Sequence, residues 1–143
     1  MRIESVSDLS ALASWLEPAF TEHQLEMFIT AVSTGRIVLA AYDYDMIRGC
    51  VQVHPTPPSV HIEHLFVDEE YRCNGVARQL YDAIALSEGV RLLTATVQRS
   101  DDSVAFHDAY RRRIDPHAPR FTGGRWECPA HNAFKATRAP LLW

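Results

Sequence analysis

The stretch from His61 to Arg78 constrains the fold of this chain more than any other. It reads HIEHLFVDEEYRCNGVAR, with an apolar strand pattern that closes at Val67, a short charged turn, a loop that contains Gly75 and the start of an amphipathic helix. A loop of this kind leaves backbone N–H groups unpaired at the first turn of the helix, and that arrangement suits an anion, most naturally a phosphate. We therefore predict an anion site here.

Arg72 and Gly75 are the residue types that a phosphate loop needs at these places. The Arg72 guanidinium can offer two parallel N–H donors to a phosphate. Gly75 has no Cβ, so the backbone can come close to a ligand. The pattern R-x-x-G-x-A is weak by itself, but here it follows a strand and opens a helix, which is the context that a phosphate site requires.

Polar side chains on the strand before the loop are candidates for proton transfer. Successive strand side chains point to opposite faces, so His61 and Glu63 share one face with Leu65 and Val67. Either His61 or Glu63 could accept a proton there. The alternative is that both are polar strand residues that face solvent, and the nearby phosphate loop favours the functional interpretation.

Composition restricts the class of protein. A chain of 143 residues with 47% hydrophobic and 22% charged residues is typical of one globular domain, which we expect to span residues 1–143. The net charge of −4 does not favour nucleic acid or a membrane surface as a partner. Three irregularly spaced cysteines predict no disulfide framework, and without a signal-peptide pattern or a membrane-length apolar stretch they favour the cytoplasm.

Histidine and cysteine pairs do not predict a metal site. His61 and His64 lie on one strand with their side chains on opposite faces, so they cannot hold one ion between them. Cys128 and His131 have no second pair at a zinc-ligand spacing. We therefore predict no bound metal.

Two amphipathic helices precede the long strands. Ser7 can cap the first helix, which Pro18 ends, and Thr21 with Gln24 forms a capping box for the second, which ends near Gly35. The next region predicts an antiparallel meander because three apolar segments are joined by short loops. Its strands are expected over residues 36–42, 46–54 and 60–67, with a bulge or close backbone approach at Gly49 and a loop over Pro55–Pro58.

The second half of the chain is expected to return to the same sheet. A helix from Val76 to near Gly89 leads to a strand over Leu92–Val97, which a right-handed crossover makes parallel to the third strand of the meander. The remaining elements are a helix capped by Ser100 or Asp101, a turn at Gly123–Gly124 and a final strand over Ala133–Thr137. The expected fold class is α/β (α+β), with a mixed, mostly antiparallel central sheet and helices on both faces.

The segment from Arg36 to Tyr110 resembles the GNAT superfamily of acyl-CoA-dependent N-acetyltransferases. Its core, LFVDEEYRCNGVA from Leu65 to Ala77, is similar to the R/Q-x-x-G-x-G/A signature that follows an L-x-V strand in that family. The resemblance implies an enzyme that transfers an acetyl group from acetyl-CoA to a primary amine by direct attack in a ternary complex. The alternative is a non-catalytic sensor or interaction module of the same fold that binds acyl-CoA.

The resemblance also implies roles for individual residues. The backbone of the strand that carries Phe66 and Val67 would bond the pantetheine arm, and the amides from Cys73 to Arg78 would hold the pyrophosphate. Glu63 and His61 stand where family members commonly place the general base. The implied coenzyme-binding residues are Phe66, Val67, Arg72, Cys73, Asn74, Gly75, Val76, Ala77, Arg78, Ser103 and Phe106.

His107 stands where the family usually carries a tyrosine that protonates the leaving thiolate. Aligning SDDSVAFH with the family's N-x-x-A-x-x-L-Y places it there and implies His107 as the acid, and the alternative is a histidine on the helix surface. The acceptor, a small-molecule or peptide amine, is expected to contact the two N-terminal helices, the Pro55–Pro58 loop and the C-terminal tail. A homodimer through the last strand is left open.

Overall fold

A computed structural model describes residues 1–97 and 100–133 of the chain, and its central feature is a six-stranded sheet in the order β1-β2-β3-β4-β5-β6. The strands are β1 Arg2–Ser5, β2 Ile37–Asp43, β3 Met46–Thr56, β4 Ser59–Val67, β5 Leu92–Val97 and β6 Gly124–Pro129. The helices are α1 Leu9–Leu16, α2 Glu22–Val32, α3 Val76–Ala85 and α4 Asp101–Ile114, with a short 3-10 turn over Glu69–Tyr71. The sheet is mostly antiparallel, which confirms the predicted fold class.

Helix caps follow the sequence closely, with one correction. Thr21 and Gln24 form the predicted capping box of α2. The cap of α1 is Asp8, and the prediction of Ser7 was wrong, because Asp8 Oδ1 accepts the amides of Ser10 at 3.1 Å and Ala11 at 3.2 Å. A carboxylate at this position can satisfy two unpaired N–H groups of the first turn at once.

One compact unit comprises Met1–Pro55 and His64–Leu80. Its apolar core joins α1 and α2 to β2 and β3 through fully buried side chains that include Leu12, Phe28 and Cys50. Next to Cys50, Gly49 faces the other way, where an added Cβ would lie 2.8 Å from Val76 Cγ1 of α3. Helices therefore pack on both faces of the strands in this unit, as the sequence predicts.

Gly49 also marks a β-bulge. Ala41 pairs with Gly49, whereas the next residue of β2, Tyr42, pairs with Ile47, so Arg48 is the extra residue on β3. The added Cβ at Gly49 would lie only 3.3 Å from the carbonyl oxygen of Phe66, which is a close approach of two backbones. Both features predicted for Gly49 are confirmed.

The second compact unit begins with Thr56–Glu63 and continues from Tyr81. Here β4 pairs in parallel with β5 from Ser59↔Leu92 to Ile62↔Ala95, which confirms the predicted parallel pairing. Antiparallel β6 pairs with β5 along its whole length, and Trp126 of β6 is fully buried. A single domain over residues 1–143 stays a prediction.

Two predictions near the ends of strands need correction, and a third lies mostly outside the described residues. Strand β6 begins at Gly124, the second residue of the predicted turn, and was missed, although Trp126 and Cys128 are buried and alternate with exposed neighbours. The Pro55–Pro58 segment is not all loop, because Pro55 and Thr56 belong to β3, and proline is tolerated where a strand ends. Ala133 lies in a helical turn, and the rest of the predicted final strand, residues 134–137, lies outside the described residues.

Within the described ranges, no helix is long and apolar enough to span a membrane.

Candidate active site

The loop between β4 and α3 is the candidate anion site, and we call its residues Arg72–Arg78 the cradle. Cys73 and Gly75 both adopt positive φ, 63° and 82°, and these left-handed residues turn the chain into α3. Over the described chain, the backbone N–H groups of Cys73–Arg78 donate to no protein acceptor, and the first amide to do so is that of Gln79, which donates to the carbonyl of Gly75 at 3.0 Å. The cradle therefore offers consecutive unpaired donors at a helix N-terminus, which is the arrangement that phosphates bind.

Side-chain exposure in the cradle fits an open binding surface. Arg72, Cys73 and Asn74 are exposed, as are Gly75 and Arg78. Ala77 is half-buried, and Val76 is buried against the sheet, so Val76 can contribute only its amide to a ligand. The arrangement fits the pyrophosphate of a coenzyme, because its N–H donors have no protein acceptor and its two arginines are exposed.

Arg72 ties the cradle back to the end of β4. Its Nε donates to the carbonyl oxygen of Val67 at 3.1 Å, and its guanidinium carbon lies 6.0 Å from the ring centroid of Phe66. The terminal nitrogens of the exposed guanidinium are left for an anion. Phe66 and Val67, both half-buried, are thus held against the residue that begins the cradle.

His61 and Glu63 lie on β4 within the second unit, and both are half-buried. His61 Nδ1 lies 2.8 Å from the hydroxyl oxygen of Thr94, a buried residue of β5. The hydrogen bond fixes the ring plane of His61 and leaves Nε2 as the nitrogen that can take part in proton transfer. Sequence reasoning missed Thr94, because it is brought next to His61 only by the parallel pairing.

His107 is not on the helix surface, because only 5% of it is exposed. Its Nδ1 lies 2.7 Å from the carbonyl oxygen of Ser103, so this nitrogen must carry the proton and donate. Nε2 then accepts the hydroxyl proton of Tyr81 across 2.8 Å. With both nitrogens engaged, the imidazole is neutral and has no proton free to donate to a ligand. A role for His107 as the acid therefore stays a prediction, and it requires at least one of the bonds to Ser103 and Tyr81 to break.

The surroundings of His107 explain its burial. Phe106 is half-buried and packs edge-on against Tyr81 with ring centroids 5.1 Å apart, and Trp126 lies 5.2 Å from the His107 ring. Half-buried Ser103 contributes its carbonyl to the histidine. Tyr81 is the partner that sequence reasoning missed, since it lies 26 residues away on α3.

His107 is expected to make stability depend on pH. Burial lowers the pKa of His107 below its ordinary value of 6.5, and the hydrogen bond to Ser103 only partly opposes this effect. As pH falls below about 6.5, His107 binds a proton in the unfolded chain before it does so in the folded protein, so the free energy of unfolding decreases. Urea unfolding at pH 7.5 and 5.5 should show wild type losing stability relative to His107→Gln as pH falls. A constant difference between the two proteins would contradict the buried neutral ring.

Among residues 1–97 and 100–133, no group of three or more His, Cys, Asp or Glu side chains is placed to hold a metal ion.

Solved acetyltransferases share this fold. Tetrahymena GCN5 gives a TM-score of 0.65 at 11% identity, over 92% of this chain and 97% of that chain. The Escherichia coli GNAT family N-acetyltransferase YhbS, in complex with CoA, gives 0.63 at 20% identity, over 93% and 82%. An aminoglycoside 6'-N-acetyltransferase complexed with coenzyme A gives 0.58 at 16% identity, over 99% and 83%. No curated protein matches the sequence significantly.

Family membership follows from a family model that matches most of the chain. The model of the Acetyltransferase (GNAT) family matches residues 3–112, and the chain therefore belongs to that family. Family membership makes it an acyl-CoA-dependent N-acyltransferase.

Cys73 provides a direct chemical probe of the cradle. It is the exposed cysteine, whereas Cys50 and Cys128 are buried and burial raises the pKa of each thiol to about 12. We expect N-ethylmaleimide to label Cys73 first, and saturating CoA to slow that labelling by about tenfold or more, since the ligand would cover the loop. Mass spectrometry of the labelled peptides measures both rates. Equal labelling of Cys73 with and without bound CoA would place the coenzyme elsewhere.

Proposed function

We propose that this enzyme transfers the acetyl group of acetyl-CoA directly to a primary amine, of a small molecule or a peptide, within a ternary complex. The observation that carries the proposal is the run of unpaired amides over Cys73–Arg78, beside the exposed Arg72 guanidinium. A coenzyme with a pyrophosphate is the ligand that such a cradle selects. Three free cysteines support a reducing compartment, and we propose the cytoplasm.

The chain's own groups would manage the protons. Acetyl-CoA supplies an activated thioester, so the C–N bond forms as the C–S bond breaks. An ammonium cannot attack, and Glu63 or His61 on β4 would first accept its proton, directly or through one water. A backbone N–H near Val67 would stabilise the negative charge that develops on the carbonyl oxygen. The thiolate product then takes up a proton, for which His107 was the candidate from the sequence.

A non-catalytic acyl-CoA sensor is the second candidate. The hydrogen bonds of His107 favour it, because Ser103 and Tyr81 occupy both nitrogens of the residue at the usual acid position. A thiolate with a thiol pKa of roughly 8.5 can leave without an acid, however, so the bonded histidine does not exclude turnover. The two candidates differ in whether free CoA is released.

A CoA-release assay over a mixed panel of primary amines distinguishes these functions. The panel contains aminoglycosides, polyamines, amino acids and peptides with free N-termini or lysines. Acetyl transfer predicts thiol release that depends on one acceptor class and is lost in Arg72→Glu, which puts a negative charge in the cradle. Thermal stabilisation by acetyl-CoA with no release on any acceptor would support the sensor, because a ligand of the native state stabilises it without turnover.

A further inference from the structure

Asp68 directly follows β4, and both oxygens of its carboxylate accept hydrogen bonds. Trp15 Nε1 of α1 donates to Oδ1 at 2.9 Å, and Arg48 of β3 donates to Oδ2 at 3.4 Å. The backbone amide of Asp68 also donates to the carbonyl oxygen of Arg48 at 2.8 Å. Three bonds to two elements thus fix the position of one residue between Val67 and the cradle.

The β-bulge explains why Arg48 can reach this place. As the extra residue of the bulge it is displaced from the regular alternation of β3. Its guanidinium carbon lies 4.7 Å from the ring centroid of Tyr71, and the Tyr71 hydroxyl donates to Asp43 at 2.8 Å. Arg48 therefore balances the charge of Asp68 and supports the 3-10 turn that leads into the cradle.

Trp15 contributes packing as well as a hydrogen bond. Its ring meets that of Phe66 edge-on with centroids 5.2 Å apart, and Phe20 packs on the same ring at 5.9 Å. Arg72 covers Phe66 as well, at 6.0 Å. The aromatic contacts place Phe66, and the bond to Asp68 fixes how the chain leaves β4 after it.

We propose that Asp68 is a positioning residue for acetyl-CoA. Its carboxylate holds Trp15 and Arg48 together, and this fixes the backbone geometry between the end of β4 and the start of the cradle. The proposal rests on the proposed function, since it assigns the coenzyme to Phe66–Arg78. Asp68 itself touches neither the coenzyme nor the reacting atoms in this scheme. Asp68 affects catalysis only by fixing the backbone that binds the coenzyme. Helix α1 supports the coenzyme site in the same indirect way, through the hydrogen bond from Trp15 to Asp68.

Four variants separate positioning from mere stability. Asp68→Ala removes both bonds, Trp15→Phe removes only the indole N–H, and Asp68→Asn keeps an oxygen for Trp15 while it removes the charge. Tyr110→Phe is the control, because it removes a hydroxyl that donates to another carboxylate, Asp82, in the other unit. Titration calorimetry with CoA and thermal melting are measured for each protein.

The expected result is a graded loss of CoA affinity. We expect Asp68→Ala to weaken binding about tenfold, which is about 1.4 kcal/mol, and Trp15→Phe about fivefold. Asp68→Asn should fall between wild type and Asp68→Ala, because its oxygen still accepts the Trp15 bond and its amide nitrogen cannot accept from Arg48. In the Asp68→Ala background, Trp15→Phe should add nothing, which a double-mutant cycle measures as coupling. Tyr110→Phe should melt at lower temperature with unchanged affinity.

Other results would overturn either the proposed function or the positioning role of Asp68. Wild type that binds no CoA overturns the proposed function, and this inference with it. Wild type that binds CoA, with Asp68→Ala and Trp15→Phe equal to it, overturns the positioning role alone. Equal losses of affinity in Tyr110→Phe and Asp68→Ala, or additive losses in the double variant, would show a general effect of stability and also overturn it.

Discussion

Removal of the group that deprotonates the acceptor amine is expected to lower kcat by about a hundredfold or more, which is the usual contribution of a positioned base. The variants are Glu63→Gln and His61→Gln, each of which keeps size and polarity and loses basicity. The KM for acetyl-CoA should change little, because neither substitution touches the cradle. Initial rates between pH 6 and 9.5 measure the effect, and activity of the defective variant should recover toward high pH, where more of the amine is already neutral.

A third variant distinguishes Glu63 from His61 as the general base. Thr94→Val removes the hydroxyl that lies 2.8 Å from His61 Nδ1 and keeps the shape of the side chain. If His61 is the base, Thr94→Val should also lower kcat and shift the pH profile. If Glu63 is the base, it should leave both unchanged. Wild-type kcat in both Glu63→Gln and His61→Gln would remove β4 from the proton transfer.

Gly49→Val is expected to cause the largest loss among substitutions in the core. Its side chain would enter space where a Cβ already lies 2.8 Å from Val76 Cγ1 and 3.3 Å from the carbonyl oxygen of Phe66. Overpacking of this kind costs about 1–3 kcal/mol of stability. Since Phe66 lies near the end of β4 before the cradle and Val76 lies within the cradle, we expect CoA affinity to fall about tenfold as well, by the same backbone displacement.

The control for Gly49→Val is Gly35→Ala. Gly35 has φ of 96° and no atom within 4 Å of an added Cβ, so its substitution strains the backbone without crowding anything. It should lower the melting temperature and leave CoA affinity unchanged. Normal CoA affinity in folded Gly49→Val would show that the close packing of β3 against α3 does not set the cradle.

The open loop over Arg72–Arg78, with its unpaired amides at the start of α3, was predictable because its signal is local. Val67, Arg72 and Gly75 follow one another within a single strand, loop and helix start, so their order alone carries the geometry. The bulge at Gly49 was predictable for the same reason, since a glycine inside a strand marks a backbone constraint. The antiparallel meander and the parallel crossover followed from the lengths of the connections.

The supports of the site were not predictable, because they join distant parts of the chain. Trp15 and Asp68 are 53 residues apart, and His107 and Tyr81 are 26 apart. No local pattern distinguishes a buried histidine on α4 from an exposed one until Tyr81 and Trp126 pack on it. Strand β6 was missed because the glycine pair at its start and Pro129 at its end are turn signals, which obscured the alternation of Trp126 and Cys128.

The central claim is that the unpaired amides of Cys73–Arg78 hold the pyrophosphate of the coenzyme. The most direct measurement is a titration of ¹⁵N-labelled protein with CoA, followed by the backbone amide resonances. We expect large shifts for these consecutive amides with CoA, and none with pantetheine, which has the same arm without the pyrophosphate. Binding of CoA that shifts resonances elsewhere and leaves Cys73–Arg78 unmoved would contradict it.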